Sequence, residues 1–280
     1  MKLYSVNAGN FKLDGGAMFG VVPKSLWQRS NPADINNMCS WAMRCLLIED
    51  GNKLILIDNG MGDKQSAKFF SHYYLHGDDS LKKSFKKNGF CFDDVTDVIL
   101  SHLHFDHCGG SVYYDSKKSL CLPTFKNAIY WSNKKHWNWA INPNSREKAS
   151  FLKENILPIK ESGQLKFVEE EGALFDNISI KFVFGHTEAQ MIPYIKYQGK
   201  TIIFTADLLP STGHIPLPYV MGYDIRPLVT LTEKQQFLLE ASKNNYILFL
   251  EHDNYTECCT LKDRDGRVIL DEKFHLKDCV

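Results

Sequence analysis

The sequence predicts a mixed α/β protein whose strands carry its chemistry, and three observations lead there. The apolar runs LILID (54–58), DVTDVILS (94–101), ISIKFVFG (178–185), TIIFTAD (201–207) and YILFLEHD (246–253) have the length and β-branched content of buried strands. Segments with helical apolar spacing separate several of them. Finally, His102, His186, Asp207 and His252 each stand at or just past the C-terminal end of one of these runs. Side chains set on strand ends are held by a rigid scaffold while the loops beyond stay open to a substrate.

Taken in order, RCLLIED (44–50) and KLILID (53–58) flank Gly51-Asn52, a two-residue hairpin turn. The second run leaves through Asp58, and Gly60 and Gly62 allow a tight exit. Helical segments are expected over 64–74 and 79–88, followed by the strand 94–101. The middle reads as more helical and irregular, with amphipathic helices at NKKHWNWA (133–140) and SREKASFLKENI (145–156). A helix over 232–244 with Thr232 as its N-cap precedes the last apolar strand. The end, TLKDRDGRVILD (260–271), reads as a hairpin turning at Asp265-Gly266. No repeat or linker breaks the chain, so one domain over residues 1–280 is expected.

Composition narrows the function. Thirty-three Lys and Arg balance thirty-three Asp and Glu, a formal charge of zero that advertises neither nucleic acid nor a membrane surface as partner. The N-terminus lacks the pattern of a secretory leader, no run approaches the length of a membrane span, and the eight cysteines show no framework spacing. A cytoplasmic protein with reduced thiols is the expectation. Cys258 and Cys259 read as neighbours on a strand facing opposite ways.

The stretch SHLHFDHCGG (101–110) concentrates three of the chain's ten histidines within six residues. His102 and His104 are two apart on extended chain and point to one side, where they can bind one ion. Asp106 and His107 follow where the chain turns into a helix, placed to face a second. Gly109 and Gly110 let the backbone pass close by. Imidazole and carboxylate donors suit zinc, iron, manganese or cobalt, with no thiolate needed. The plainer account is a polar strand-to-helix corner with Asp106 as N-cap. It leaves the ligand types on the later strands unexplained.

HLHFDHCGG resembles the second motif of the metallo-β-lactamase superfamily, HxHxDH. LILIDNGMG looks like its first motif, GHTEAQM its third, FTAD its fourth and EHD its fifth, in the family's order over residues 54–253. The resemblance implies a four-layer αββα sandwich with a dinuclear site. One cation would take His102, His104 and His186, and the other Asp106, His107 and His252. Asp207 would bridge them, and Asp58 would orient a ligand rather than bind metal. Two divalent ions, zinc foremost, would supply hydroxide near neutral pH, and Asp106 would receive or relay the proton. The implied protein is a hydrolase.

Within that superfamily the chain is most similar to the N-acyl homoserine lactone lactonase and methyl parathion hydrolase branch. It has no signal, no late cysteine ligand, no basic arm and no second domain, features that mark other branches. A lactone or other carboxylic ester is the implied substrate, a phosphotriester the nearest alternative, and a metal-stabilised binding or sensor protein without turnover the alternative from another class. Dimers are common among such relatives, so a homodimer is compatible with the resemblance. LDGGAMFGVVPKSLWQR (13–29) looks like the loop that lactonase-like members place over the cleft, and 208–227 reads as a second loop over the site. Met18, Phe19, His214 and Tyr223 are the candidate pocket residues taken from these loops. One departure stands out: Pro210 occupies the place where several lactonases carry a carbonyl-binding tyrosine.

Overall fold

A computed structural model describes residues 1–117 and 119–279. The chain divides into two compact units, the first made of residues 1–9 and 43–170, the second of 10–42 and 171–280. The strands in chain order are β1 (Lys2–Asp14), β2 (Met38–Asp50), β3 (Lys53–Ile57), β4 (Asp97–Ile99), β5 (Val112–Tyr114), β6 (Cys121–Pro123), β7 (Ile129–Asn133), β8 (Leu165–Val168), β9 (Gly172–Phe175), β10 (Ile178–Val183), β11 (Gln190–Tyr197), β12 (Lys200–Phe204), β13 (Ile247–Phe249), β14 (Cys258–Arg264) and β15 (Arg267–Phe274).

The first unit is organised on a six-stranded sheet in the order β1-β2-β3-β4-β7-β8. The Gly51-Asn52 turn closes the β2–β3 hairpin as expected, with Leu46 opposite Ile57 and Asp50 opposite Lys53. From β3 onward the pairings are parallel. Parallel strands covered on both faces read as continuous apolar runs, which is why LILI and DVI carry almost no alternation. They sit in a core that includes Leu47, Leu56, Val98, Leu100, Phe125, Tyr130, Trp137 and Ile159.

The second unit is built on a seven-stranded sheet, β15-β14-β13-β12-β11-β10-β9, antiparallel except where β12 and β13 run parallel. Asp265 and Gly266 turn the β14–β15 hairpin with φ of 55° and 80°, the left-handed pair that such a tight turn requires. Cys258 and Cys259 are both buried in β14, and all eight cysteines are free thiols.

Two helices begin elsewhere than expected. The segment read as a helix over 145–156 starts as a turn, in which the Asn144 side chain accepts from the Arg146 and Glu147 amides, and the helix runs over Lys153–Glu161. This is the bonding of a helix N-cap, and the Lys148 amide completes one turn on the Asn144 carbonyl at 3.0 Å, but the chain carries it no further. The helix expected from Thr232 starts five residues earlier and spans Pro227–Lys243, with Pro227 in its first turn. Thr232 lies inside it and returns its hydroxyl to the Leu228 carbonyl. The buried stripe of this helix is Thr230, Lys234, Phe237, Leu238 and Ala241, the i, i+4, i+7, i+8, i+11 pattern of a core-facing helix.

Lys234 is the anomaly in that stripe. Its Nζ donates to the carbonyls of His214 (3.0 Å), Pro216 (3.3 Å) and Tyr219 (2.7 Å), pinning the 208–227 loop. Burial lowers the Lys234 pKa to about 7, while three carbonyl acceptors favour the charged ammonium.

His214 belongs to the same interior. Its ring stacks on Phe19 at 4.4 Å, and Phe19 stacks in turn on Trp27 at 5.3 Å. Nε2 donates to the Met18 carbonyl at 2.9 Å, and Nδ1 accepts from the Ser211 hydroxyl at 2.8 Å, so the ring is neutral. Burial is the main cause that lowers its pKa from 6.5 to about 4. The unfolded chain takes up this proton below pH 6.5 and the native protein only near pH 4. Over that window the unfolded state binds more protons, so stability falls as pH falls, by about 3 kcal/mol in full. Urea titrations at pH 7 and pH 4.5 should show a smaller acid loss in His214→Asn than in the parent. Equal losses would assign the acid sensitivity to other groups.

Candidate metal centre

The motif residues stand in a regular relation to the strands. His102 lies three residues past β4, His186 three past β10, Asp207 three past β12 and His252 three past β13. Asp58 follows β3 directly. Each strand therefore delivers its polar side chain from a fully hydrogen-bonded, apolar base. Two of the exits are left-handed at a residue other than glycine, Asp58 at φ 55° and Ala206 at φ 41°, a conformation that costs on the order of 1 kcal/mol and collects at functional sites.

In the first unit His102, His104, Asp106 and His107 are all buried, and helix Phe105–Cys108 carries the last two. His102 Nε2 stands 3.0 Å from His104 Nδ1. Two imidazole nitrogens so close share either one proton or one cation. Asp58, itself fully buried, accepts from the Ser101 amide at 2.7 Å and from the Ser101 hydroxyl. His107 Nδ1 lies 3.1 Å from the same carboxylate, and His102 Nδ1 lies 3.1 Å from the Ser101 hydroxyl oxygen. One aspartate thus orients two rings, one directly and one through a serine that passes its own proton on. Both rings are held as Nδ1–H tautomers with the Nε2 lone pair turned outward.

The second unit carries three further donors. Asp207 sets one oxygen 3.1 Å from His186 Nε2 and the other 3.2 Å from His252 Nε2. His186 Nδ1 donates to Asp224 at 2.9 Å, and His252 Nδ1 to the Ala42 carbonyl at 2.7 Å. These rings too are locked with Nε2 forward. A carboxylate whose two oxygens face two such nitrogens has the form of a bridging ligand.

The seven side chains expected from sequence are thus arranged as two preorganised donor sets, one in each unit. Sequence reasoning missed their supports: Ser101, Asp224, the Ala42 carbonyl, and His136, whose Nε2 accepts from the Leu103 amide at 2.8 Å and fixes the backbone between His102 and His104. Of the candidate pocket residues, Met18, Phe19 and His214 lie in the packed interior of the second unit, and Tyr223 is 40% exposed. Tyr73, tilted against Phe105 with ring centroids 4.7 Å apart, has a phenol that burial and the Asp106 charge push up to about 12, so it stays a hydrogen-bond donor at neutral pH.

Five imidazoles and two carboxylates, four of the imidazoles fixed by a partner at Nδ1, are the ligand chemistry of a protein that works through borderline divalent cations. The residues fit such ions. The comparisons give the family: a model of the metallo-β-lactamase superfamily matches residues 44–252, and the chain belongs to it. It is a hydrolase of that fold, the fold class expected from the sequence. N-acyl homoserine lactonase AiiA of Bacillus thuringiensis subsp. kurstaki is 23% identical over 265 residues, covering 90% of this chain and 93% of that protein. A probable metal-dependent hydrolase from Staphylococcus aureus superposes with a TM-score of 0.87 at 27% identity over 98% of both chains. AidC, a dizinc quorum-quenching lactonase solved with its product, superposes with a TM-score of 0.77 at 23% identity, covering 98% of this chain and 95% of AidC. No helix among the described residues is long and apolar enough to cross a membrane.

Proposed function

We propose that this chain is a dinuclear metal-dependent hydrolase that opens a lactone or another carboxylic ester. One cation is held by His102, His104 and His186, the other by Asp106, His107 and His252, with Asp207 between them. Zinc is the leading metal, and manganese, iron and cobalt suit the same donors. The observation that carries the reading is the orientation of the rings: Nδ1 of His102, His107, His186 and His252 each has a fixed partner, which leaves Nε2 as the nitrogen each ring offers to a cation. A set of satisfied core histidines would have no need of that uniformity.

When bound, the two cations polarise the substrate oxygen and lower the pKa of water enough to supply a nucleophile near neutral pH. The chain's own groups do the rest. Asp207 balances charge at both ions. Asp58 and Asp224 hold the rings and raise their basicity. Asp106, 8% exposed at the start of its helix, takes the proton and returns it to the leaving oxygen. The lactonase relatives, aligned over 90% of this chain, favour a lactone. The zero formal charge fits a neutral small-molecule substrate, and eight free thiols fit the cytoplasm. Residues 1–280 act as one domain in this reading.

The test is proton release by the zinc-loaded protein against lactones of increasing acyl length, compared with aryl phosphotriesters. Turnover that varies with acyl length supports the lactone. A thousandfold preference for the phosphotriester reverses the substrate assignment, and binding without any turnover across esters, thioesters and phosphoesters makes the protein a sensor.

A further inference from the structure

His104 is the exception among the five rings. The other four turn Nε2 forward, whereas His104 turns Nδ1 toward His102 Nε2. For both of these nitrogens to offer lone pairs to one cation, His104 must keep its proton on Nε2. That proton calls for an acceptor.

The structure provides one from the turn that the sequence disguised as helix. Glu147 is 3% exposed, and its Oε1 stands 3.6 Å from His104 Nε2. That is longer than a hydrogen bond, and a side-chain shift of about half an ångström closes it. The other oxygen of the carboxylate is fixed by two donors, Trp139 Nε1 at 2.7 Å and the Asn144 side-chain amide. The turn is anchored to the metal motif as well: the Ser150 amide donates to the Glu147 carbonyl at 2.8 Å, and the Phe105 amide to the Ser150 carbonyl at 3.0 Å. Phe151, the next residue, packs its ring 4.8 Å from that of His104. A buried carboxylate is expensive without positive charge or donors nearby. An imidazole N–H beside a bound cation is such a donor, strengthened by the metal on its other nitrogen.

We infer that Glu147 is a positioning residue: it selects the Nε2–H tautomer of His104 and thereby aims Nδ1 at the cation. Trp139 and Asn144 hold the carboxylate in place for this purpose. The inference rests on the two-cation reading of the site, and its test is arranged to stand apart from that reading.

The first readout is the nitrogen NMR spectrum of histidine in the zinc-loaded protein, which reports the tautomer of each ring. The parent should hold His104 as Nε2–H with Nδ1 on the metal. Glu147→Leu should release part of the His104 population from the metal into the other tautomer, and Glu147→Gln, which keeps an acceptor oxygen, should restore the first. The second readout is zinc competition against a chelator, with Glu147→Leu binding one zinc about 10- to 100-fold more weakly and Glu147→Gln falling between. If both variants keep the parent tautomer and zinc affinity while only melting earlier, the role is structural and the inference is overturned. Should Glu147→Leu not fold, the Gln variant decides through its zinc affinity: a value equal to the parent's overturns the inference. A parent protein that binds no zinc defeats the two-cation reading, whereas a zinc-loaded Glu147→Leu with the parent's His104 signal and zinc affinity defeats the inference alone.

Discussion

Replacing Asp207 by alanine is expected to lower bound zinc from two equivalents per chain to one or fewer and to reduce kcat/KM on the order of 10⁴-fold. The size of the effect follows from the geometry. Asp207 faces His186 with one oxygen and His252 with the other, at 3.1 and 3.2 Å. In the proposed two-cation site, removing it would delete a ligand from both ions and leave them with no shared counter-charge. Asp207→Asn keeps the volume and one acceptor oxygen but not the charge, so it should retain more metal than the alanine variant and still turn over poorly. Metal analysis and proton-release kinetics on the same preparations check both. Two zinc equivalents and parent-like turnover in Asp207→Ala would remove the bridge and with it the proposed mechanism.

The candidate ligands were legible because their chemistry is local in sequence. His102, His104, Asp106 and His107 lie within six residues, and the remaining three follow apolar runs that no short surface loop would resemble. What was not legible is what holds them. Asp224 is 38 residues from His186 and Ala42 is 210 from His252, and neither separation has a periodic signature. A backbone carbonyl leaves no mark on sequence at all. Glu147 was hidden further, since SREKASFLKENI has helical spacing while the chain there makes only a capped turn and starts its helix at Lys153.

The fold divides in the same way. Strands such as β3, β12 and β13 are apolar enough to be read without a partner. β11 was missed because its sequence, QMIPYIKY, carries Pro193 in an interior strand, opposite Ile180 of β10, where a missing amide ordinarily argues against pairing. The short hairpin of β5 and β6 pairs only three residues on each side and leaves Tyr113, Leu120 and Leu122 exposed. It gives no core-facing pattern to find. The glycines were read correctly as places of close approach, but not what they approach.

Gly109→Ala should be the most damaging small substitution in the first unit. Gly109 has φ −61° and ψ −32°, a conformation open to every residue, so the constraint is space alone. A methyl group there would stand 2.1 Å from the Met61 carbonyl oxygen, and one at Gly62 would stand 2.5 Å from the Gly109 carbonyl oxygen. Two backbones cross with no room for a side chain on either. The crossing is sewn by hydrogen bonds from the Asn59 amide to the His107 carbonyl and from the Gly110 amide to the Gly60 carbonyl, both 2.9 Å, and from Asn59 Nδ2 to the Ser111 hydroxyl at 2.7 Å. It holds His107 and its partner Asp58 in register. Neither carbonyl can swing away as a long side chain would, so the added methyl has to separate the loop from the helix. A loss of about 3 kcal/mol or more is expected in urea unfolding, with weaker zinc binding because His107 moves with the helix. Gly199→Asn is the control: its φ of +76° suits asparagine and nothing lies within 4 Å of the added Cβ, so it should stay within about 0.5 kcal/mol of the parent. An unchanged urea midpoint in Gly109→Ala would mean that the loop and helix separate freely. The preorganisation of His107 by Asp58 would then have to come from their side-chain contact alone.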